Sequence, residues 1–233
     1  MVKNKFSICV QAVIRVFDSF SYMPVRNGYI KILCDNNSKI ISKDEGFFVI
    51  IGNEIPKRIR IKSTIYENID VDILNPNPHI PINIWIQPKK GYNLVSNIKW
   101  ITIFTKPYDK IYAFQYKKEP NIRLLENSKQ NDEFLKIYQE RKLNLDGATM
   151  LLYSNNDIDS FELINIKYVD GDSCILYEPL KKEHKKIKTG IYKIMCAKAD
   201  EFGKCDIAIS KDNENIDYII LNSYGEKIDE ITI

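Results

Sequence analysis

The sequence is short of the residues that make or break bonds. Among 233 residues there are two histidines, His79 and His184, and nine glycines scattered singly, mostly at turns. No Gly-x-Ser-x-Gly elbow, no His-Glu-x-x-His helix and no Gly-rich phosphate loop is present, so the usual hydrolase, metalloprotease and nucleotide-binding devices are missing. No Cys-x-x-Cys pair exists, and neither histidine lies three to five residues from another ligand type in the way a zinc site requires. Long apolar runs are lacking too, which argues against a helical membrane span. An excess of one charge is also lacking: 34 basic residues face 31 acidic ones, a net charge of +3. A dedicated nucleic-acid binder is far more basic, so no nucleic acid is expected as a partner.

The five cysteines, Cys9, Cys34, Cys174, Cys196 and Cys205, are odd in number and widely spaced. Most sit inside apolar strand patterns, where a reduced thiol packs as a small hydrophobe. The first residues, MVKNKFSICV, are basic, but Gln11 and Arg15 interrupt the apolar stretch after them and no small-residue cleavage site appears. The expectation is a protein made in the cytoplasm without a signal peptide, leaving the cell by lysis or as part of a particle.

What is present is β-pattern. In the first region, strands are expected over Ile8–Phe17, Tyr29–Leu33, Phe47–Ile51, Arg58–Ile65, Ile69–Leu74 and Ile82–Ile86, separated by turn residues such as Asn27-Gly28 and Asp44-Glu45-Gly46. Short strands at this spacing predict a β-sandwich over residues 1–87. Pro76, Pro78, Pro81 and Pro88 crowd the end of this region and place the break after Gln87. Residues 88–148 read as a connector with strands Trp100–Phe104 and Ile111–Tyr116 and one helix over Asp132–Lys142. Phe134, Ile137 and Tyr138 fall at i, i+3 and i+4, Asn131 stands where an N-cap belongs, and Asp146-Gly147 stops the pattern.

Residues 149–233 read as a β-rich, barrel-like module. Its strands are expected over Thr149–Tyr153, Phe161–Val169, Cys174–Tyr177, Gly190–Ala197, Cys205–Ser210, Tyr218–Leu221 and Lys227–Ile233. Asp170-Gly171 breaks a period-two alternation there, a strong local hairpin signal.

Several groups invite a chemical reading. Asn155-Asn156-Asp157-Ile158-Asp159 and Asp35-Asn36-Asn37-Ser38 offer oxygens for an ion, but without the closing Glu of a calcium loop, and Asx residues make such turns unaided. Asp70 and Asp72 share one strand face as a carboxylate pair, which ordinary solvated alternation also explains. The run Lys181 to Lys188, with His184 inside it, can meet nucleic acid, an anionic surface or an acidic partner protein, or serve as a solvated loop between two strands. Trp100, Phe104, Tyr108, Tyr112, Phe114 and Tyr116 form an aromatic-rich stretch open to three readings: a stacking platform, an interface, or packing against the helix.

Two stretches carry resemblances. Val13-Ile14-Arg15-Val16-Phe17-Asp18, Met23-Pro24-Val25, Tyr29-Ile30-Lys31-Ile32 and Asp44-Glu45-Gly46-Phe47-Phe48-Val49 lie in residues 8–66, which resemble the transthyretin-like sandwich called the carboxypeptidase regulatory-like domain. That resemblance implies an accessory spacer or binding module with no catalytic residues of its own. Phe161 to Ile166, Val169-Asp170-Gly171-Asp172, Ile175 to Leu180, His184 and Thr189-Gly190-Ile191-Tyr192 lie in residues 161–197, which resemble β-modules of phage-tail and phage-tail-like particle proteins.

The second resemblance implies a structural subunit of a contractile bacteriocin or injection particle, at baseplate or collar, present in multiple copies and acting on other protein subunits. The expectation is therefore a mainly β protein: an immunoglobulin- or transthyretin-like sandwich, a connector with one helix, and a small C-terminal barrel-like module. No catalytic, cofactor-binding or metal-binding residue is expected, and no membrane insertion. The alternative is a carbohydrate- or cell-surface-binding β module that uses Trp85 or Trp100 as its platform.

Overall fold

The structure, a computed structural model, describes residues 9–95, 97–117, 119–154, 161–187, 189–211 and 216–232. The chain forms two compact units, Met1–Tyr92 and Asn93–Ile233. It is mainly β, and no helix occurs among the described residues.

In the first unit, β1 (Val10–Asp18), β3 (Lys39–Ser42), β4 (Phe47–Ile51) and β7 (Ile82–Ile86) form one sheet in the order β3-β4-β1-β7, with β1 and β7 parallel. A second sheet has the order β2-β5-β6, from β2 (Ile30–Cys34), β5 (Arg58–Ser63) and β6 (Ile69–Asp72). Burial alternates along the central strands. In β1 the buried series is Ala12, Ile14, Val16 and then Asp18, and in β5 it is Ile59 and Ile61. The wet face of β5 carries Arg58 and Arg60. They pair across the strands with Asp72 and Asp70 at 2.7 and 2.6 Å, and hydrogen bonds from the two guanidiniums define that exposed face.

The second unit is layered. A closed barrel runs β10-β11-β14-β13-β12-β15. Its strands are β10 (Ile122–Leu124), β11 (Phe134–Gln139), β12 (Thr149–Tyr153), β13 (Glu162–Asp170), β14 (Ser173–Leu176) and β15 (Gly190–Lys193). The chain on either side of the barrel pairs with itself. β9 (Lys110–Tyr116), β16 (Met195–Lys198), β18 (Asp217–Leu221) and β19 (Lys227–Thr232) make a sheet in the order β16-β9-β18-β19. β8 (Ile98–Phe104) and β17 (Lys204–Ser210) make a ribbon.

The sheet is covered on both faces. Ile111, Ala113, Tyr218 and Ile220 pack with Ile103, Cys205, Ile207 and Ile209 of the ribbon. Tyr112, Phe114, Ile219 and Leu221 pack with Leu151 and Tyr192 of the barrel. That is why Ile111 to Phe114 and Tyr218 to Leu221 are buried without alternation. A strand sandwiched between two layers has no wet side.

The helix expected over Asp132–Lys142 is absent. Phe134–Gln139 is strand β11, paired with β10 and β14. Phe134, Ile137 and Tyr138 suit a helical stripe, but the same stretch also alternates. Leu135 and Ile137 are buried while Phe134 and Tyr138 face out. Pairing on both edges decides between the two periods, and the segment is too short for periodicity alone to do so. Asn131, expected as the cap, instead has φ 71° in the turn before the strand. The Gly190–Ala197 strand is also two elements, because the chain passes from the barrel to the sheet at Ile194. The predicted hairpin is present: Asp170 pairs with Ser173 around Gly171, which has φ +61°.

Candidate functional site

Two features of the second unit stand open to solvent. The first is the end of the sheet where three connections meet. Thr105 N–H donates to the Gly203 carbonyl at 2.8 Å, Tyr108 N–H to the Asp200 carbonyl at 3.2 Å, and Ala199 N–H to the Asp109 carbonyl at 2.9 Å. The Ser223 hydroxyl donates to the Asp109 carboxylate, which holds that carboxyl below the usual range. Gly203 has φ +77°, and a Cβ there would lie 2.0 Å from the Thr105 carbonyl oxygen, so only glycine lets these two connections approach.

This laced end carries Phe104, Tyr108, Phe202 and Tyr224, which are 74%, 61%, 81% and 76% exposed. Lys198 stands 5.7 Å from the Tyr108 ring centre and Lys106 5.9 Å from that of Tyr224. Single exposed apolar residues are ordinary, whereas four large rings, Phe104 at the end of β8 and three on the connections joined there, make an exposed aromatic surface.

The second feature is a cavity of about 240 Å³ where the end of β9, the start of β10, the end of β15 and the segment after β11 converge. Gln115, Lys117, Asn121, Arg141 and Lys193 supply its polar lining, and Ile122, Leu143, Ile191 and Tyr192 much of the rest. The Tyr192 hydroxyl donates to the Lys117 carbonyl at 3.0 Å, which fixes the wall beneath the first lysine. Burial pulls the Lys193 ammonium down to about 8, although the side chain as a whole remains exposed.

The residues singled out by sequence are spread over both units. His184 is buried, and its Nε2 lies 2.8 Å from the Glu162 carboxylate. Burial works against the ionised Glu162. The hydrogen bond from His184 and those from the amides of Lys181 and Lys182 outweigh it, so the carboxyl stays below its usual range. His184 also forms a two-way backbone bridge with Ser128, at 3.0 and 3.1 Å. The His184 Nδ1 and the Ser128 Oγ are both buried without a hydrogen-bond partner. A serine, a histidine and an acid thus gather without the hydroxyl–imidazole hydrogen bond of a nucleophilic site, and none of the three lines the cavity. The group clasps the lysine loop, leaving Lys181, Lys182, Lys185 and Lys186 exposed; Lys188 lies outside the described residues.

His79 is exposed in a turn built on Asn77. Asp35 accepts the amides of Lys57 and Arg58, and Asn36 that of Ser38, so these two side chains already serve backbone amides, of the chain at the start of β5 and of the loop itself. Asn155–Asp159 lies outside the described residues. Trp85 is stacked on Phe17 at 4.7 Å and packed by Tyr22 at 4.7 Å, which leaves little open ring for a sugar. Tyr112, Phe114 and Tyr116 pack against Phe161, Tyr153 and Tyr192 of the second unit. Cys174 and Cys205 are buried, their thiols pushed up by burial to about 12 and about 11, and thiols in that state are inert. Among the described residues no three His, Cys, Asp or Glu side chains gather as a metal site.

Sequence pattern marks neither Phe202 nor Tyr224, and none of Lys117, Arg141 and Lys193. The two rings belong to short turns with no periodicity. The three cations come from segments far apart in the chain that only strand pairing brings together. No family model matches the chain, and no curated protein matches it significantly.

Proposed function

We propose that this chain is a structural, non-enzymatic subunit of a phage-tail-like contractile particle, at baseplate or collar, and that it works through protein–protein contacts. The observation that carries this reading is the exposed patch of Phe104, Tyr108, Phe202 and Tyr224 on connections laced together by hydrogen bonds. Rings held on a stiff frame lose little freedom on binding, and aromatic anchors are the side chains that dominate protein interfaces. The occupant is a neighbouring subunit of the particle, and the lysines beside the two tyrosines form the rim. In the same reading the first unit is a transthyretin-like spacer, consistent with its two sheets that each bury one face.

The test is sedimentation of particles from lysed producing cells. The chain should travel in the particle fraction. The double variant Phe104→Ser/Phe202→Ser should leave it while keeping the wild-type urea midpoint, because both rings are solvated. A chain found only as free monomer, or a double variant that still travels with particles, would overturn the proposal.

A further inference from the structure

The cavity beside Tyr192 has a composition at odds with the rest of the chain. Overall, basic and acidic residues nearly balance, yet the lining holds Lys117, Arg141 and Lys193 and no carboxylate. Glu119 and Glu140 are exposed chain neighbours of the lining and not part of it. Three cationic side chains bordering one open pocket set up a positive local potential, which favours an anion there.

The remaining lining narrows the choice of anion. Three positive groups match a dianion better than a single carboxylate, and a phosphate monoester carries nearly two charges at neutral pH. The planar Arg141 fork can donate two parallel hydrogen bonds to phosphate oxygens, and the lysines act as point charges. Gln115 and Asn121 bring amide groups that both donate and accept, the pairing that hydroxyls need. Ile122, Leu143, Ile191 and the Tyr192 ring offer apolar surface for a short carbon skeleton. At about 240 Å³ the space falls below the range of drug-sized sites, which suits a small ligand.

We propose that this cavity binds the phosphate monoester of a small polyol, with Lys117, Arg141 and Lys193 holding the phosphate and Gln115 and Asn121 taking the hydroxyls. The site is independent of the aromatic patch, and its test does not depend on any particle. Lys193 adds a signature. Burial pulls its ammonium down to about 8, and the charged groups lining the pocket beside it are Lys117 and Arg141. A bound dianion favours the charged form. Affinity should therefore fall as pH rises through that value, over a range in which the phosphate, whose second ionisation lies near pH 6, no longer changes charge.

The experiment is calorimetric titration of the full chain with glycerol 3-phosphate at millimolar concentration, with inorganic phosphate, glycerol and malate as separate arms. Glycerol 3-phosphate should bind, inorganic phosphate should bind more weakly, and glycerol should not bind. Lys117→Gln and Arg141→Gln alter exposed residues and should keep the wild-type urea midpoint while weakening binding about tenfold each, the equivalent of one charge-assisted hydrogen bond. Lys193→Gln should flatten the fall in affinity between about pH 7.5 and about pH 9.5. Absence of binding by the wild-type chain, malate binding as tightly as the phosphate ester, or folded Lys117→Gln and Arg141→Gln variants that bind like wild type would each overturn the proposal.

Discussion

The two units each bury a carboxylate at the end of a strand, Asp18 at the end of β1 and Glu162 at the start of β13, and they satisfy it with different chemistry. Asp18 accepts the amide of Phe20 and the hydroxyls of Ser21, Tyr66 and Tyr92. Burial and the neighbouring carboxylate push both tyrosine hydroxyls up, so these donors keep their protons throughout the ordinary pH range. Glu162 instead leans on a histidine and on loop amides. One clamp is built from hydroxyl and amide donors, whereas the other joins a histidine ring to amides of the lysine-rich loop.

Breaking each clamp should expose that contrast. Glu162→Leu leaves the His184 ring buried against an apolar side chain, and removing one partner of a buried pair is costly. A loss of about 3 kcal/mol is expected, read as a fall in the urea midpoint of the second unit's transition, with release of the lysine loop to proteolysis. Asp18→Ala strands hydroxyl donors that can turn toward other acceptors. A smaller loss of about 2 kcal/mol is expected, followed through the fluorescence of Trp85, which stacks on Phe17 beside it.

The gentlest test is pH itself. The Glu162 carboxyl lies below its unfolded value when folded. Its contribution is therefore complete above the unfolded value of about 4.3 and is lost as pH falls through the folded value. The stability gap between wild type and Glu162→Gln should thus narrow as pH drops below about 4. A gap that holds constant down to acid unfolding would remove the carboxylate's charge from the account.

The positions of these two acids are visible in the sequence as phase. Asp18 continues the inward series Ile14, Val16, and Glu162 opens the series Ile164, Ile166. A charge in step with buried positions marks a polar group that must find internal partners. Strands such as Ile82–Ile86 and the Asp170-Gly171 hairpin are legible for the same reason, since period and turn chemistry are local properties.

What is hidden is non-local. β11 carries a helical and a strand period at once, and its neighbours β10 and β14 select one. Lys39–Ser42 and Ile122–Leu124 are too short to alternate convincingly. The cavity depends on residues at 117, 141 and 193 whose company is set by closure of the barrel. No property of a single segment encodes a ring of strands.

The passage from barrel to sheet occupies one buried residue, Ile194, between β15 and β16. β16 is paired to β9, and β15 is paired to β12 and β10. So short a hinge leaves no slack. Sheet and barrel are joined both by this single-residue step and by the packing of Tyr112, Phe114, Ile219 and Leu221 on Leu151 and Tyr192, and Lys193, at the rim of the pocket, is the last side chain before the junction.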